Sequence, residues 1–119
     1  MRKKILLLSF LGLLFGSCTN DSESDLREPD SPTVVSYEAN IKQIMGNNCV
    51  GCHNDPPVNG APFALDTYDR VRDRTENGNL IAVMKRQTGE SAAMPPTGRL
   101  PQATIDLIEQ WADEGFLEQ

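Results

Sequence analysis

Apolar and polar positions divide the chain into three stretches. Ile5 to Phe15 is an almost unbroken apolar run, preceded by Arg2-Lys3-Lys4. Residues 19–34 are polar and acidic and carry Pro29 and Pro32. From residue 35 onward apolar positions recur at helical spacing, broken by segments rich in Gly, Pro and Asn. Tyr37, Ile41 and Ile44 share one face and predict a helix over 37–46, with Ser36 as N-cap and Glu38 in the first turn. A short helix is predicted over 67–74, capped by Asp66 or Thr67, and another over 79–87 around Leu80-Ile81-Ala82-Val83-Met84. The clearest helix is 101–114: Pro101 suits a first turn, Ile105, Ile108 and Trp111 form a stripe beside Leu107, and Gly115 follows as a stop. No strand alternation and no internal repeat stands out. The expected fold class is therefore all-α, with loops over 46–62 and 88–100 that are long for so small a domain.

The apolar run is too short to span a bilayer comfortably and fits the core of a signal peptide. It ends in Phe15-Gly16-Ser17-Cys18. Small residues before a cysteine resemble the bacterial lipobox, with Phe15 where a Leu is usual. This implies cleavage after residue 17 and a lipid on Cys18. An ordinary signal peptide or a short membrane anchor are the alternatives. Residues 18–34 then read as a lipidated cysteine and an acidic tether that cannot bury enough apolar surface to fold. As a flexible coil its residues 19–34 would span roughly 20–25 Å root-mean-square. An acidic run after such a cysteine also resembles the export tags of surface lipoproteins in Bacteroidetes-type bacteria. The domain plan is thus signal peptide 1–17, tether 18–34 and folded domain 35–119, on the periplasmic, outer-membrane or cell-surface side.

The chain of 119 residues carries 11 Lys+Arg against 17 Asp+Glu. Losing Arg2, Lys3 and Lys4 lowers the basic count by three to 8 and leaves a balance of −9. Such a chain does not bind nucleic acid by phosphate neutralisation. It is suited to docking a basic partner by long-range attraction, or simply to staying soluble.

The chemistry sits in Cys49-Val50-Gly51-Cys52-His53, a C-x-x-C-H pattern. It is the attachment signature of c-type haem: two thiols three positions apart reach the two vinyl groups on one edge of the ring, and the imidazole takes the iron. Export agrees, because covalent haem attachment happens outside the cytoplasm. A thiol–disulfide motif would sit beside a βαβ pattern, which is absent. Zinc needs four ligands, and with Cys18 lipidated only Cys49, Cys52 and His53 remain. A disulfide across two residues would close a very small loop and stabilise little.

No second His exists, so unless the iron is five-coordinate a sixth ligand must come from Met45, Met84 or Met94. Met45 lies on the approach to the motif, and Met84 lies on an apolar helical face where Met is commonly core. Met94 precedes Pro95-Pro96, which enforce a stiff non-helical loop that can hold a thioether against iron. Met94 is the preferred candidate. Phe63, Leu65, Ile81, Ile108 and Trp111 are candidate pocket residues. The Trp111 N–H and the guanidinium groups of Arg70, Arg72, Arg74 and Arg99 are further candidates for the haem propionates, or else ordinary core and surface groups.

Residues 37–116 resemble the small class I cytochrome c domain, and more narrowly the Planctomycete-type cytochrome c domain found also on Bacteroidetes-type lipoproteins. The resemblance rests on Asn48 through His53, Phe63-Ala64-Leu65-Asp66-Thr67-Tyr68, Met94-Pro95-Pro96, and Leu100 through Ile105, Ile108 and Trp111 to Gly115-Phe116. It implies one haem c held through Cys49 and Cys52, His53 and Met94 as axial iron ligands, and first and last helices that cross near the haem. It also implies a proline carbonyl, from Pro56, Pro57 or Pro62, that orients His53. Pro101 departs from the family, which often has Ser or Thr there. The expected function is that of a non-enzymatic one-electron carrier in an exported, membrane-associated chain. The alternatives are a haem-binding subunit of a larger oxidoreductase, or a haem enzyme or gas sensor with a labile Met ligand.

Overall fold

A computed structural model describes residue 32 and residues 34–119. The expected signal peptide, the lipidated Cys18 and most of the acidic tether lie outside the described residues. Those residues form helices and loops without a strand, and none of the helices is long and apolar enough to cross a membrane.

The first helical segment is in two parts. A π-helical turn, Tyr37–Ile41, runs straight into α1, Lys42–Asn48. Ser36 caps it as expected: its Oγ accepts from the Ala39 N–H at 3.3 Å, and its own N–H donates to Asn40 Oδ1 at 3.1 Å. The turn is wide because the Ser36 carbonyl accepts from both Asn40 and Ile41, at 3.0 and 3.3 Å. α2 is Tyr68–Glu76, and its cap is Thr67 rather than Asp66, with Oγ1 taking the Arg70 N–H at 3.4 Å. α3 is Leu80–Lys85, two residues shorter than the pattern predicts at its C-terminal end. The Gln87 N–H turns instead to the Glu90 carboxylate at 2.9 Å. α4 is Gln102–Asp113. Pro101 stands just before it, and Gly115 turns the chain away with φ +88.

α4 lays Ile105, Ile108 and Trp111, all fully buried, against the π turn and α3. Tyr37 and Ile41 come from the π turn, Met45 from α1, Val71 from α2, and Leu80 and Met84 from α3. Each such side chain contributes about 1.5–3 kcal/mol by leaving water. Trp111 is the centre of an aromatic group, with Phe116 at 5.0 Å, Tyr37 at 6.1 Å and Tyr68 at 6.2 Å between ring centroids.

The ends of the domain are tied to each other. The Tyr37 and Glu38 N–H groups donate to the Leu117 and Glu118 carbonyls at 2.8 and 3.0 Å. The Val35 N–H donates to Glu114 Oε2 at 2.8 Å. Gln110 holds the Pro32 carbonyl at 3.1 Å, which ties Pro32 to α4. Lys85 pairs with Glu109 and joins α3 to α4. The first and last helical segments therefore pack together, closed by the C-terminal tail. That arrangement leaves the ends of α1 and α2, α3 and the two long loops free to shape a cavity.

Candidate functional site

The backbone keeps turning after α1. The Cys49 N–H donates to Met45 O at 2.8 Å, and the Cys52 and His53 N–H groups both reach Cys49 O, at 3.1 and 2.9 Å. Positions i, i+3 and i+4 of such a turn share a face. Local structure alone thus sets Cys49, Cys52 and His53 on one side.

The loop after His53 folds back along the motif. The Val58 N–H donates to Cys52 O at 2.9 Å, and the Leu65 N–H donates to His53 O at 2.6 Å. The latter bond brings Phe63 beside the imidazole. His53 Nδ1 donates to the Phe63 carbonyl at 2.8 Å, and the two rings lie 5.0 Å apart. None of Pro56, Pro57 or Pro62 supplies that carbonyl. The acceptor is one residue beyond Pro62, because the Leu65–His53 bond fixes the register of the return strand of chain. A carbonyl can only accept, so Nδ1 carries the proton and Nε2 of the neutral ring keeps its lone pair. His53 is buried at 8% exposure.

Both thiols are free and half-buried. Burial pushes the Cys49 thiol up to about 11, so it is protonated at neutral pH. That is the opposite of the lowered value that activates a disulfide-exchange nucleophile. Asn59 Nδ2 lies 3.5 Å from Cys52 Sγ. Among the described residues no three His, Cys, Asp or Glu side chains converge on a metal-ion position.

The motif opens onto a cavity of about 320 Å³, at the lower end of the roughly 300–1,000 Å³ usual for small-molecule sites. Cys49, Cys52, His53 and Met94 all line it. Met94 arrives from the far loop, where its N–H donates to the Val83 carbonyl of α3 at 3.1 Å. The Thr88 hydroxyl accepts from the Arg99 N–H at 3.0 Å, and the Arg86 guanidinium donates to the Ser91 carbonyl at 2.6 Å, so the loop is braced at both ends. Leu65, Leu80, Val83 and Met84 complete an apolar wall. Met84 thus offers a second thioether to the cavity, while Met45 is in the core and does not line it.

Several other expectations resolve here. Phe63 and Leu65 line the cavity; Ile81, Ile108 and Trp111 do not. Trp111 is fully buried, and its Nε1–H donates to the Leu117 carbonyl at 2.8 Å, so it has no donor left for a propionate. No residue of α4 lines the cavity, so the packing of first against last helix lies beside it and not in its wall. Among the arginines, Arg70 is held by Asp55 and Asp66, Arg72 by Glu76, and Arg99 by Gln102 and backbone carbonyls. Arg74 alone of the four lines the cavity. Leu80, Val83 and Asn79 were not singled out from the pattern as pocket residues. Their periodicity reads as core, and only the placement of α3 opposite the motif turns them toward the cavity.

Two thiols, one imidazole lone pair and a thioether in one apolar cavity are a donor set that fits covalent haem. Comparison of the chain with protein-family models, with curated proteins and with solved structures gave no match.

Proposed function

We propose that this chain is a monohaem c-type cytochrome with the small class I fold, a one-electron carrier exported and held at a membrane by a lipid on Cys18. The observation that carries the reading is the convergence of Cys49, Cys52 and His53 with Met94, 41 positions beyond His53, on one apolar cavity. The haem supplies the Fe(III)/Fe(II) couple.

The chain's own residues hold and tune it. Cys49 and Cys52 would hold the haem through thioether bonds, each formed by adding S–H across a vinyl double bond with no net oxidation. The Phe63 carbonyl fixes the His53 ring and its tautomer, and leaves Nε2 for iron. Met94, on a loop pinned to α3, would hold the iron through its thioether. With His53 and Met94 both engaged, the iron would have no open place for substrate or oxygen, and the haem would supply one-electron transfer. A thioether ligand raises the reduction potential relative to bis-imidazole ligation. Leu65, Leu80 and Val83 line the cavity with apolar surface, which would limit the solvent that reorganises as the charge changes. The acidic surface suits a redox partner with a basic docking face.

Intact-mass measurement of full-length chain, exported in cells with haem-attachment machinery, tests the proposal. One haem per chain and an acylated Cys18 are expected. Colourless protein with both thiols free, or joined to each other, refutes it.

A further inference from the structure

The cavity wall contains one permanent charge. Of the described residues lining it, none is Asp, Glu or Lys, and Arg74 is the single arginine. Arg74 makes no ion pair among the described residues, whereas Arg70 and Arg72 of the same helix are both paired. Its guanidinium lies 4.0 Å from the centroid of the Phe63 ring. Phe63 is also the residue whose carbonyl holds His53, so the charged head is stacked on the element that orients the imidazole.

The turn that follows reinforces this placement. Arg74 is in the last turn of α2, and Asn79 stands at the start of α3 with no capping bond from its side chain. Gly78 between them packs so closely that a Cβ there would meet the Arg74 carbonyl oxygen at 2.6 Å. The tight turn brings both Arg74 and Asn79 to the cavity. Arg74 is half-buried and has no ion-pair partner among the described residues, and its planar fork matches a carboxylate with two parallel hydrogen bonds.

Resting on the haem reading above, we infer that Arg74, with Asn79 across the turn, forms the binding subsite for a haem propionate. The pairing neutralises a carboxylate close to the iron. An uncompensated carboxylate would favour the ferric state, so the pairing raises the reduction potential. Arg74 is a positioning and tuning residue and does not touch the iron.

Potentiometric titration of the full-length haem-loaded protein tests this. Arg74→Gln should lower the potential, and the drop should be larger at low ionic strength than at high, where the charge is screened. Arg74→Lys, which keeps the charge and loses the fork, should recover part of the drop. Arg72→Gln is the control, because Arg72 pairs with Glu76 and does not line the cavity; it should leave the potential unchanged. The far-red methionine–iron band is followed in each variant, so that a potential change from ligand loss is recognised. If Arg74→Gln fails to accumulate, Arg74→Met keeps the apolar stem over Phe63 and removes the charge. A charge-removing variant at Arg74 that retains the band and the wild-type potential at every salt concentration overturns the subsite while leaving the haem reading intact. Wild-type protein without covalent haem overturns both.

Discussion

Replacing Met84 and Met94 separately by alanine divides packing from ligation. Met84 is 1% exposed and belongs to the main core cluster as well as to the cavity wall. Truncating a fully buried Met costs about 2–5 kcal/mol. At about 4–8 °C per kcal/mol for a domain of this size, the thermal midpoint of Met84→Ala should fall by at least about 8 °C. Its oxidised spectrum should still show the weak far-red methionine–iron band. Met94 is only partly buried and projects from a loop. Removing its outer atoms costs about 1–2 kcal/mol in burial at about 0.8 kcal/mol per CH₂, yet Met94→Ala should abolish that band and admit high-spin features. Far-UV circular dichroism melts and visible spectra of the two variants are the assay. A band lost in Met84→Ala and kept in Met94→Ala would reverse the ligand assignment. A band unaffected in both would move the ligand to Met45, and a band absent from the wild type would remove methionine ligation altogether.

Three further outcomes follow from the packing and the caps. Trp111→Phe removes one of the two donors to the Leu117 carbonyl, which keeps the Tyr37 N–H, and puts a smaller ring in the core; a loss of about 0.5–1.5 kcal/mol for the hydrogen bond, plus a packing loss for the smaller ring, is expected in chemical denaturation, with the visible spectrum unchanged because Trp111 does not line the cavity. Gly78→Ala forces a methyl against the Arg74 carbonyl oxygen and should cost about 1–3 kcal/mol, read as a lower denaturant midpoint. The Glu114 carboxylate accepts from the Gln110 side chain and from the Val35 N–H, which hold its carboxyl below the ordinary glutamate value. A carboxyl lowered by folding stabilises the native state above its unfolded value, and that contribution disappears as pH falls through the folded value. Glu114→Gln should therefore be less stable than wild type at neutral pH, and the difference should shrink on acidification through that range; a constant difference from neutral to strongly acid pH would refute the assignment.

Much of the architecture is written in local sequence. The helical stripe of Ile105, Ile108 and Trp111, the Ser36 and Thr67 caps and the stop at Gly115 each depend on a few neighbouring residues, so each can be read without the rest of the chain. The same holds for Cys49, Cys52 and His53, because one helical turn is enough to put them on a common face. Where longer-range contacts decide, the pattern was silent or misleading. Trp111 has a polar handle that could serve a cofactor, but the C-terminal tail folds back and Leu117 takes its N–H. The acceptor for His53 depends on the register of the loop that returns from Asn54 to Leu65, and a shift of one residue separates Phe63 from Pro62. Met84 and Met94 both carry thioethers, and only the docking of α3 and its following loop across from the motif brings them into one cavity while Met45 stays in the core. The selection of Arg74 from four exposed-looking arginines is of the same kind: Arg70, Arg72 and Arg99 find partners, and a turn closed over Gly78 leaves Arg74 facing the cavity. Short-range geometry thus set the common face of the C-x-x-C-H motif and the helices, and tertiary packing set which distant side chains face that motif, because such encounters depend on how whole helices dock and not on the order of neighbouring residues.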